Sequence, residues 1–173
     1  MKSSNNPMRD IKINKLVINI GTGSDEQLQN NAKKLIELIT GRKPASAISK
    51  KRIPTFKITK GQKIGAFVTI RGEEARPLLV RLFDAVDNKI KENSITDNTL
   101  NFGIREYIDI SGVKYDPKIG MLGMHVNLSF KRDGLRTESR KRRASYVPLK
   151  HRGIPVQEIR DYIQKEFNVT TTQ

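Results

Sequence analysis

Positive charge is concentrated in two segments of this chain. Residues 42–63 contain eight lysines and arginines and no acidic residue, and residues 131–152 contain nine against two acids, Asp133 and Glu138. The segments carry formal charges of +8 and +7, which together equal the net charge of the whole chain, +15. Because an unpaired charge is costly to bury, both segments must lie at the surface, and the hydrophobic core must come from the neutral remainder.

A neutral body with two cationic segments suits a protein that binds a polyanion. Clustered lysines and arginines gain affinity for phosphates by displacing condensed counterions. The plainer alternative is that the segments are solvated faces or solubilising tails. A membrane-surface role fits less well, since neither segment has the strong apolar face of a basic amphipathic helix.

Length and composition favour one soluble domain. A chain of 173 residues is long enough for a single hydrophobic core. No apolar run approaches the roughly 20 residues that span a bilayer, and the start, MKSSNNPMRDIKINK, has no apolar signal core. We therefore expect a cytosolic protein with no membrane partner. The absence of cysteine excludes disulfides and thiolate metal sites.

Apolar periodicity predicts a strand and then a helix near the N-terminus. Residues 16–20, LVINI, alternate as in a strand with two apolar faces, interrupted only at Asn19. Ser24 and Gln27 fit a capping box, and Gly41 stands where a helix would end. The helix predicted between them buries one stripe, which consists of Leu28, Ala32, Leu35, Ile36 and Ile39.

The rest of the chain continues with strand and helix patterns. Further strands are predicted at residues 47–50, 64–71, 104–110 and 125–130. The first two of these flank a long loop, residues 49–65, in which Pro54 and Gly61 interrupt any regular ladder.

Two more helices are predicted. One begins near Arg76, because Pro77 is tolerated only in a first turn, and its buried side consists of Leu79, Leu82, Phe83, Val86 and Ile90. The other covers residues 155–167, and its apolar stripe consists of Val156, Ile159, Ile163 and Phe167.

These elements predict an α+β fold. We expect a two-layer domain, with a mainly antiparallel sheet, helices packed on one face and the other face available for binding. A basic C-terminal extension that ends in a helix would follow. The expected division is an α+β domain that binds the polyanion, over residues 1–130, and the extension over residues 131–173.

Catalytic and cofactor motifs are incomplete. The GTG of residues 21–23 lies between a strand and a helix, but the third glycine of a dinucleotide-binding turn is replaced by Glu26, which would repel pyrophosphate. A tight turn explains these glycines equally well. His125 and His151 have no nearby partner of the kind found in metal-binding pairs. We expect no enzyme activity, no metal and no cofactor.

Six motifs, all within residues 6–130, carry a family resemblance. They are LVINIGTG (16–23), LITGRKP (38–44), FKITKGQKIG (56–65), VTIRG (68–72), FGIREYID (102–109) and KYDPKIG (114–120). In these motifs, and in their order, the chain resembles the large-subunit ribosomal proteins that bind 5S ribosomal RNA, the universal L-five family, called L-eleven in eukaryotic numbering. KYDPKIG and the tail KRRASYVPLKHRG resemble its archaeal and eukaryotic branch.

The resemblance implies a structural protein without a reaction of its own. Its partners would be 5S ribosomal RNA, large-subunit ribosomal RNA, peptidyl-site transfer RNA, a protein of the universal L-eighteen family and, across an intersubunit bridge, a small-subunit head protein. Its location would be the cytoplasmic ribosome, with a nucleolar stage during assembly if the chain is eukaryotic. The chain departs from the family pattern at His125, where an acid is typical, and at Arg42, where glutamine is typical.

The resemblance also assigns residues to three contacts. Motif positions imply 5S RNA binding by Asn19, Arg42, Lys43, Thr69 and Arg71. The family counterpart of loop 49–65 reaches the elbow of peptidyl-site transfer RNA, which implies contacts by Lys50, Lys51, Arg52, Lys57 and Lys60. The tail residues expected to bind ribosomal RNA are Arg140, Lys141, Arg142, Arg143, Lys150, His151 and Arg152.

Other interpretations of these residues remain open. Asn19 is also explained as an ordinary polar residue at a strand edge, and Thr69 by β-propensity alone. Loop 49–65 could instead dock on ribosomal RNA. For the whole chain, the alternatives are a nucleic-acid-processing enzyme and a free-standing RNA chaperone, which would bind unrelated RNAs with similar affinity.

Overall fold

A computed structural model describes residues 6–172 of the chain. Its centre is a six-stranded antiparallel sheet with the order β2-β3-β1-β7-β6-β5. The strands are β1 (Ile11–Gly21), β2 (Ala45–Ile48), β3 (Lys63–Ile70), β5 (Ile95–Thr96), β6 (Thr99–Ile104) and β7 (Met124–Arg132). Two short strands, β4 (Lys89–Lys91) and β8 (Thr170–Thr172), form a separate parallel pair.

Three longer helices accompany the sheet. They are α1 (Glu26–Thr40), α2 (Ala75–Asp84) and α5 (Val156–Phe167), and the basic segment adds two single-turn helices, α3 (Arg136–Ser139) and α4 (Leu149–Arg152). Buried residues of the longer helices share one hydrophobic core with the sheet. The predicted α+β class, with a mainly antiparallel sheet and a C-terminal helix, is confirmed. No helix among the described residues is long and apolar enough to cross a membrane.

The alternation predicted for the first strand is confirmed, although β1 begins five residues earlier. Leu16, Ile18 and Ile20 are buried, while Val17 and Asn19 are only half-buried. The same alternation recurs in β7, where Val126, Leu128 and Phe130 are buried and His125 and Asn127 are exposed. β7, and β1 from Leu16 onward, therefore direct their odd-numbered side chains away from the core, whereas a bulge after Ile13 leaves Ile11 and Ile13 packed against it.

The N-cap of the first helix lies one residue after the predicted N-cap, Ser24. Its cap is Asp25, whose Oδ1 accepts hydrogen bonds from the amides of Gln27 at 2.8 Å and Leu28 at 3.3 Å. The prediction of Ser24 as the cap was therefore wrong. A second prediction was also wrong, because Leu28 is 38% exposed and Gln29 takes the buried position at the start of the stripe. Gly41 ends the helix as predicted, with φ of 66°.

The second helix is shorter than its predicted apolar stripe. It begins at Ala75, close to Arg76, but ends at Asp84. Asp87 and Asn88 then adopt positive φ angles, which ends the helical path. Ile90 is buried as predicted, but it belongs to strand β4 and not to the helix.

The strand predicted at residues 104–110 was wrong. The strand before it, β6, ends at Ile104, and a single 3-10 turn covers Tyr107–Asp109. Tyr107 and Ile110 are both buried from this turn, and the Tyr107 hydroxyl accepts a hydrogen bond from the amide of Asp116 at 3.0 Å. Burial of residues three apart suits one helical turn, whereas a strand would direct them to opposite faces.

The β2–β3 hairpin and the last helix follow their predictions closely. β3 differs from the predicted 64–71 by one residue, and β2 lies two residues before the predicted 47–50. Pro155 is the N-cap of α5 rather than its predicted first residue, and Ile159 and Ile163 of that helix are buried as predicted. The division of the chain at residue 130 stays a prediction.

Candidate nucleic-acid interface

The face of the sheet opposite the core carries two rows of side chains that are mostly polar. Strand register places Asn19 of β1 between Phe67 of β3 and His125 of β7, and His125 opposite Gly103 of β6. A second row runs through Thr69, Val17, Asn127 and Asn101 in that order. Neither row contains a carboxylate, so no residue of these two rows repels a phosphate backbone.

Three of the predicted 5S RNA-binding residues lie together on this open face. Asn19 and Thr69 are half-buried within the rows, where strand pairing fixes their backbones. Arg71 is exposed one residue beyond the end of β3 and continues the same alternation. The arrangement offers amide and hydroxyl groups on a rigid surface and a guanidinium at its margin.

The other two lie in the turn between α1 and β2. Ala45 pairs with Phe67, so the preceding turn lies beside the end of β3 that carries Thr69. Lys43 is exposed there. Arg42 forms an ion pair with Glu74 through Nη2, so RNA would have to compete with this carboxylate or use the remaining guanidinium donors.

Sequence reasoning missed the polar groups at the far side of the face. The Nδ2 of Asn127 donates a hydrogen bond to Oδ1 of Asn101 at 2.8 Å. Both residues line a shallow depression of about 390 Å³ together with Asn19 and His125. The alternation of TLNFGI, residues 99–104, indicates the strand that carries Asn101, whereas the prediction gave the strand to residues 104–110.

The loop of residues 49–65 is ordered by backbone hydrogen bonds at its base and at its tip. The backbones of Ile53 and Ile58 exchange hydrogen bonds at 2.9 and 3.1 Å, and Ile58 is buried. Ser49 donates to the carbonyl of Gln62 at 2.8 Å and accepts from Gly61 at 2.9 Å, which closes the base. The five predicted cations of the loop are all exposed, and they are Lys50, Lys51, Arg52, Lys57 and Lys60.

The loop cations and Arg71 lie at opposite ends of strand β3. β3 leaves the loop at Lys63 and ends at Ile70, beside Arg71. Its eight residues separate the two ends by about 24 Å. The interface therefore has two cationic regions that can engage different nucleic-acid elements.

The predicted tail residues fall into two groups. Residues 140–143 are exposed, and the Nε of Arg140 donates to the carbonyl of Arg143 at 2.8 Å. Lys150, His151 and Arg152 instead belong to helix α4. All three are exposed, and Lys150 and His151 border neighbouring depressions near Arg9 and the end of β7.

Both acids of the second basic segment are already paired. Asp133 lies 2.6 Å from the ammonium of Lys12, and this hydrogen bond raises the pKa of Lys12. Glu138 pairs with Nη1 of Arg152 at 2.9 Å. Among the described residues, none of the four cations at 140–143 forms an ion pair. Their charge is therefore directed at solvent.

The backbone amides of Thr22 and Gly23, which follow β1, are occupied by β3 and are not available to a dinucleotide. The backbone amides of Thr22 and Gly23 both donate to the carbonyl of Ile64, at 3.0 and 3.2 Å. Gly23 has φ of 64°, which a glycine adopts without strain. The tight-turn interpretation therefore accounts for GTG.

The comparisons with known proteins agree with this architecture. Two family models match consecutive parts of the chain, Ribosomal protein L5 over residues 6–59 and the C-terminus of the same ribosomal family over residues 63–156. The chain is 36% identical to the large ribosomal subunit protein uL5 of Sulfurisphaera tokodaii over 97% of this chain and 96% of that protein. It is 41% identical to the protein of that name from Picrophilus torridus, over 98% and 97% of the two chains.

A third relative extends the same pattern. The uL5 protein of Nanoarchaeum equitans is 41% identical over 94% of this chain and 96% of its own length. These relatives are named as ribosomal proteins, which gives no support to a free-standing chaperone and identifies a structural, non-enzymatic role. The chain belongs to the ribosomal L5 family, in its archaeal branch, and is a structural component of the large ribosomal subunit that works with ribosomal RNA in the cytoplasm.

Proposed function

We propose that the open face of the sheet binds 5S ribosomal RNA in the central protuberance of the large subunit. The observation that carries this proposal is the register that brings Asn19 and Thr69 to one exposed, acid-free surface, with Arg71 at its margin. Short hydrogen-bonding groups on paired strands suit sugar hydroxyls and base edges in a folded RNA loop. Arg42 and Lys43, at the neighbouring turn, add phosphate contacts.

Replacing Asn19 by alanine or Thr69 by valine is expected to reduce discrimination between 5S RNA and an unrelated RNA of equal length by about 1 kcal/mol each. The dependence of affinity on salt should change little, because a neutral hydrogen bond releases no counterion. Competition binding at fixed salt measures the discrimination. Asn30→Ala is a matched control, since Asn30 is exposed on α1, on the helical layer. Unchanged discrimination in both variants and in their combination would assign 5S RNA to another surface.

We further propose that loop 49–65 contacts peptidyl-site transfer RNA. The support is the loop's separation from the open face and its exposed, uncompensated lysines. Every transfer RNA passes the peptidyl site, so a partner there must be held without sequence readout. Lysine suits this contact because its ammonium is a point charge on a flexible stem that binds phosphate without a fixed geometry.

The double variant Lys57→Ala/Lys60→Ala is expected to weaken peptidyl-site transfer RNA binding and to flatten its salt dependence. The slope of log K against log salt should fall by about one unit for each lost phosphate contact. Subunit assembly and 5S RNA content should stay nearly unchanged. Lys89→Ala/Lys91→Ala removes two exposed lysines from β4 and serves as the control. Equal salt slopes in the two variant ribosomes would contradict the transfer RNA contact and leave docking on ribosomal RNA as the explanation of the loop.

Two protein contacts complete the proposal. We propose that the chain lies next to a protein of the universal L-eighteen family and opposite a small-subunit head protein across an intersubunit bridge, and the family resemblance is the support for both contacts. The relatives are archaeal, so the proposal includes no nucleolar stage of assembly.

A further inference from the structure

Phe56 lies at the tip of loop 49–65 with 68% of its surface exposed. It is the only aromatic residue between Arg42 and Lys63. No stacked, edge-on or cation–π contact of its ring occurs among the described residues. An exposed phenyl ring forfeits the free energy that burial would provide, and at this loop tip it presents an apolar face beside the exposed Arg52 and Lys57.

The turn holds this ring in place. The amide of Phe56 donates to the carbonyl of Ile53 at 3.3 Å, and the amide of Lys57 donates to Pro54 at 3.0 Å. Lys57 adopts a φ of 54°, which reverses the chain directly after the ring. Ile58 is buried below and anchors the turn. A backbone that is already ordered loses little conformational entropy when the ring is covered by a partner.

The charges around the ring favour a nucleic acid as that partner. Lys51, Arg52, Lys57 and Lys60 are exposed on the same loop, and no acidic residue occurs between Glu37 and Glu73. A protein partner would need an acidic surface with an apolar centre. A nucleic acid has both required groups in every nucleotide, because the phosphate pairs with cations and the base offers a flat face for stacking.

We propose that Phe56 stacks on an unpaired nucleobase of the RNA that the loop contacts. This inference rests on the proposed contact between the loop and a structured RNA, and it adds a residue and a ligand group to it. The lysines supply attraction that is independent of sequence, while the ring selects RNA in which a base face is accessible, as in a hairpin loop or at a helix end.

The chain has no tryptophan, so Phe56→Trp introduces a unique fluorophore at the site. Its emission is expected to be quenched when a hairpin RNA with an unpaired loop binds. Long-chain polyphosphate, which has charge but no bases, should leave the emission nearly unchanged at equal occupancy. Leu38→Trp is the control, because Leu38 is 53% exposed on α1, away from the loop, and its emission should respond to neither probe.

Affinity provides a second measurement. Phe56→Ala is expected to weaken binding of the hairpin RNA about tenfold without changing the salt slope, and Phe56→Tyr should bind like the parent protein. Because the ring is exposed, the thermal unfolding midpoint of each variant should match the parent.

The outcomes separate this inference from the function on which it rests. If Lys57→Ala/Lys60→Ala weakens RNA binding while Phe56→Ala has no effect, the loop binds RNA but the ring does not stack. Equal quenching by polyphosphate and RNA would also overturn stacking. If neither variant alters RNA binding, the proposed RNA contact of the loop fails as well, and a protein partner is left as the explanation of the exposed ring.

Discussion

Replacing the cationic run at residues 140–143 by four alanines is expected to weaken binding to large-subunit ribosomal RNA between about a hundredfold and a thousandfold at physiological salt. The salt slope should fall by about three units, because each phosphate contact contributes about 0.7 to 0.9 of a unit. The four residues are Arg140, Lys141, Arg142 and Arg143. The free energy of unfolding should barely change, since all four are exposed.

The expected effect is large because the two acidic residues of the segment do not neutralise the cationic run. Asp133 is held by Lys12 and Glu138 by Arg152, so neither compensates the run. Every positive charge at residues 140–143 therefore stays available to phosphates. Exposed ion pairs on the body contribute little in comparison, because water and salt screen them.

A control variant removes the same number of charges elsewhere. It changes four exposed residues outside both basic segments to alanine, and these are Lys34, Lys89, Lys91 and Lys165. Filter binding of each variant to large-subunit RNA across a salt series gives the two slopes. If the slopes of the two variants were equal, only net charge would matter, and the tail would have no defined contact with RNA.

Hydrogen exchange gives an independent measurement on the same run. No backbone amide of residues 141–144 donates a hydrogen bond to another described residue. We expect these amides to exchange rapidly in the free protein and to become protected when RNA binds, as in segments that order against a nucleic acid. The amides within α5 should be protected in both states, because Ile159 and Ile163 are buried. Strong protection of the run in isolated protein would contradict this.

The sequence predicted the fold where periodicity was long and unambiguous. The alternation in β1 and β7 and the stripe of α5 each extend over several buried residues, so an error at one position could not change the element. The segment from residue 104 to 110 is different. Its apolar pattern is too short to distinguish a strand end from a single turn, and the burial of both Tyr107 and Ile110, which identifies the turn, is known only from the tertiary structure.

The open face could be predicted only in part. Alternation indicated that Asn19 and Thr69 point away from the core, but no local pattern specifies that β1 lies between β3 and β7. That order brings Asn127 and Asn101 to the same surface. Register depends on contacts between residues far apart in the chain. The ion pair of Arg42 with Glu74 could not be predicted for the same reason, since the two residues are 32 positions apart.

Gly65→Ala is expected to destabilise the protein by about 3 kcal/mol, at the upper end of the cost of overpacking a buried site. Gly65 is buried in β3 and pairs with Gly21 of β1. A Cβ at residue 65 would lie 2.5 Å from the carbonyl oxygen of Ile20 and 3.4 Å from Cα of Gly21. Both atoms belong to the backbone, so no side-chain rotation relieves the clash and the strands must separate.

Gly103→Ala distinguishes this clash from a general effect of glycine replacement. Gly103 also lies in a strand of the same sheet, but its added Cβ would meet nothing closer than Nδ1 of His125 at 3.7 Å, an ordinary contact. Alanine there restricts the unfolded chain, so stability should stay within about 0.5 kcal/mol of the parent or rise slightly. Urea unfolding compares the two variants. The neighbouring carbonyl of Ile64 accepts the amides of Thr22 and Gly23, so strand separation would also loosen the base of loop 49–65. Equal stability of the two variants would mean that β1 and β3 do not approach closely enough to require glycine at residue 65.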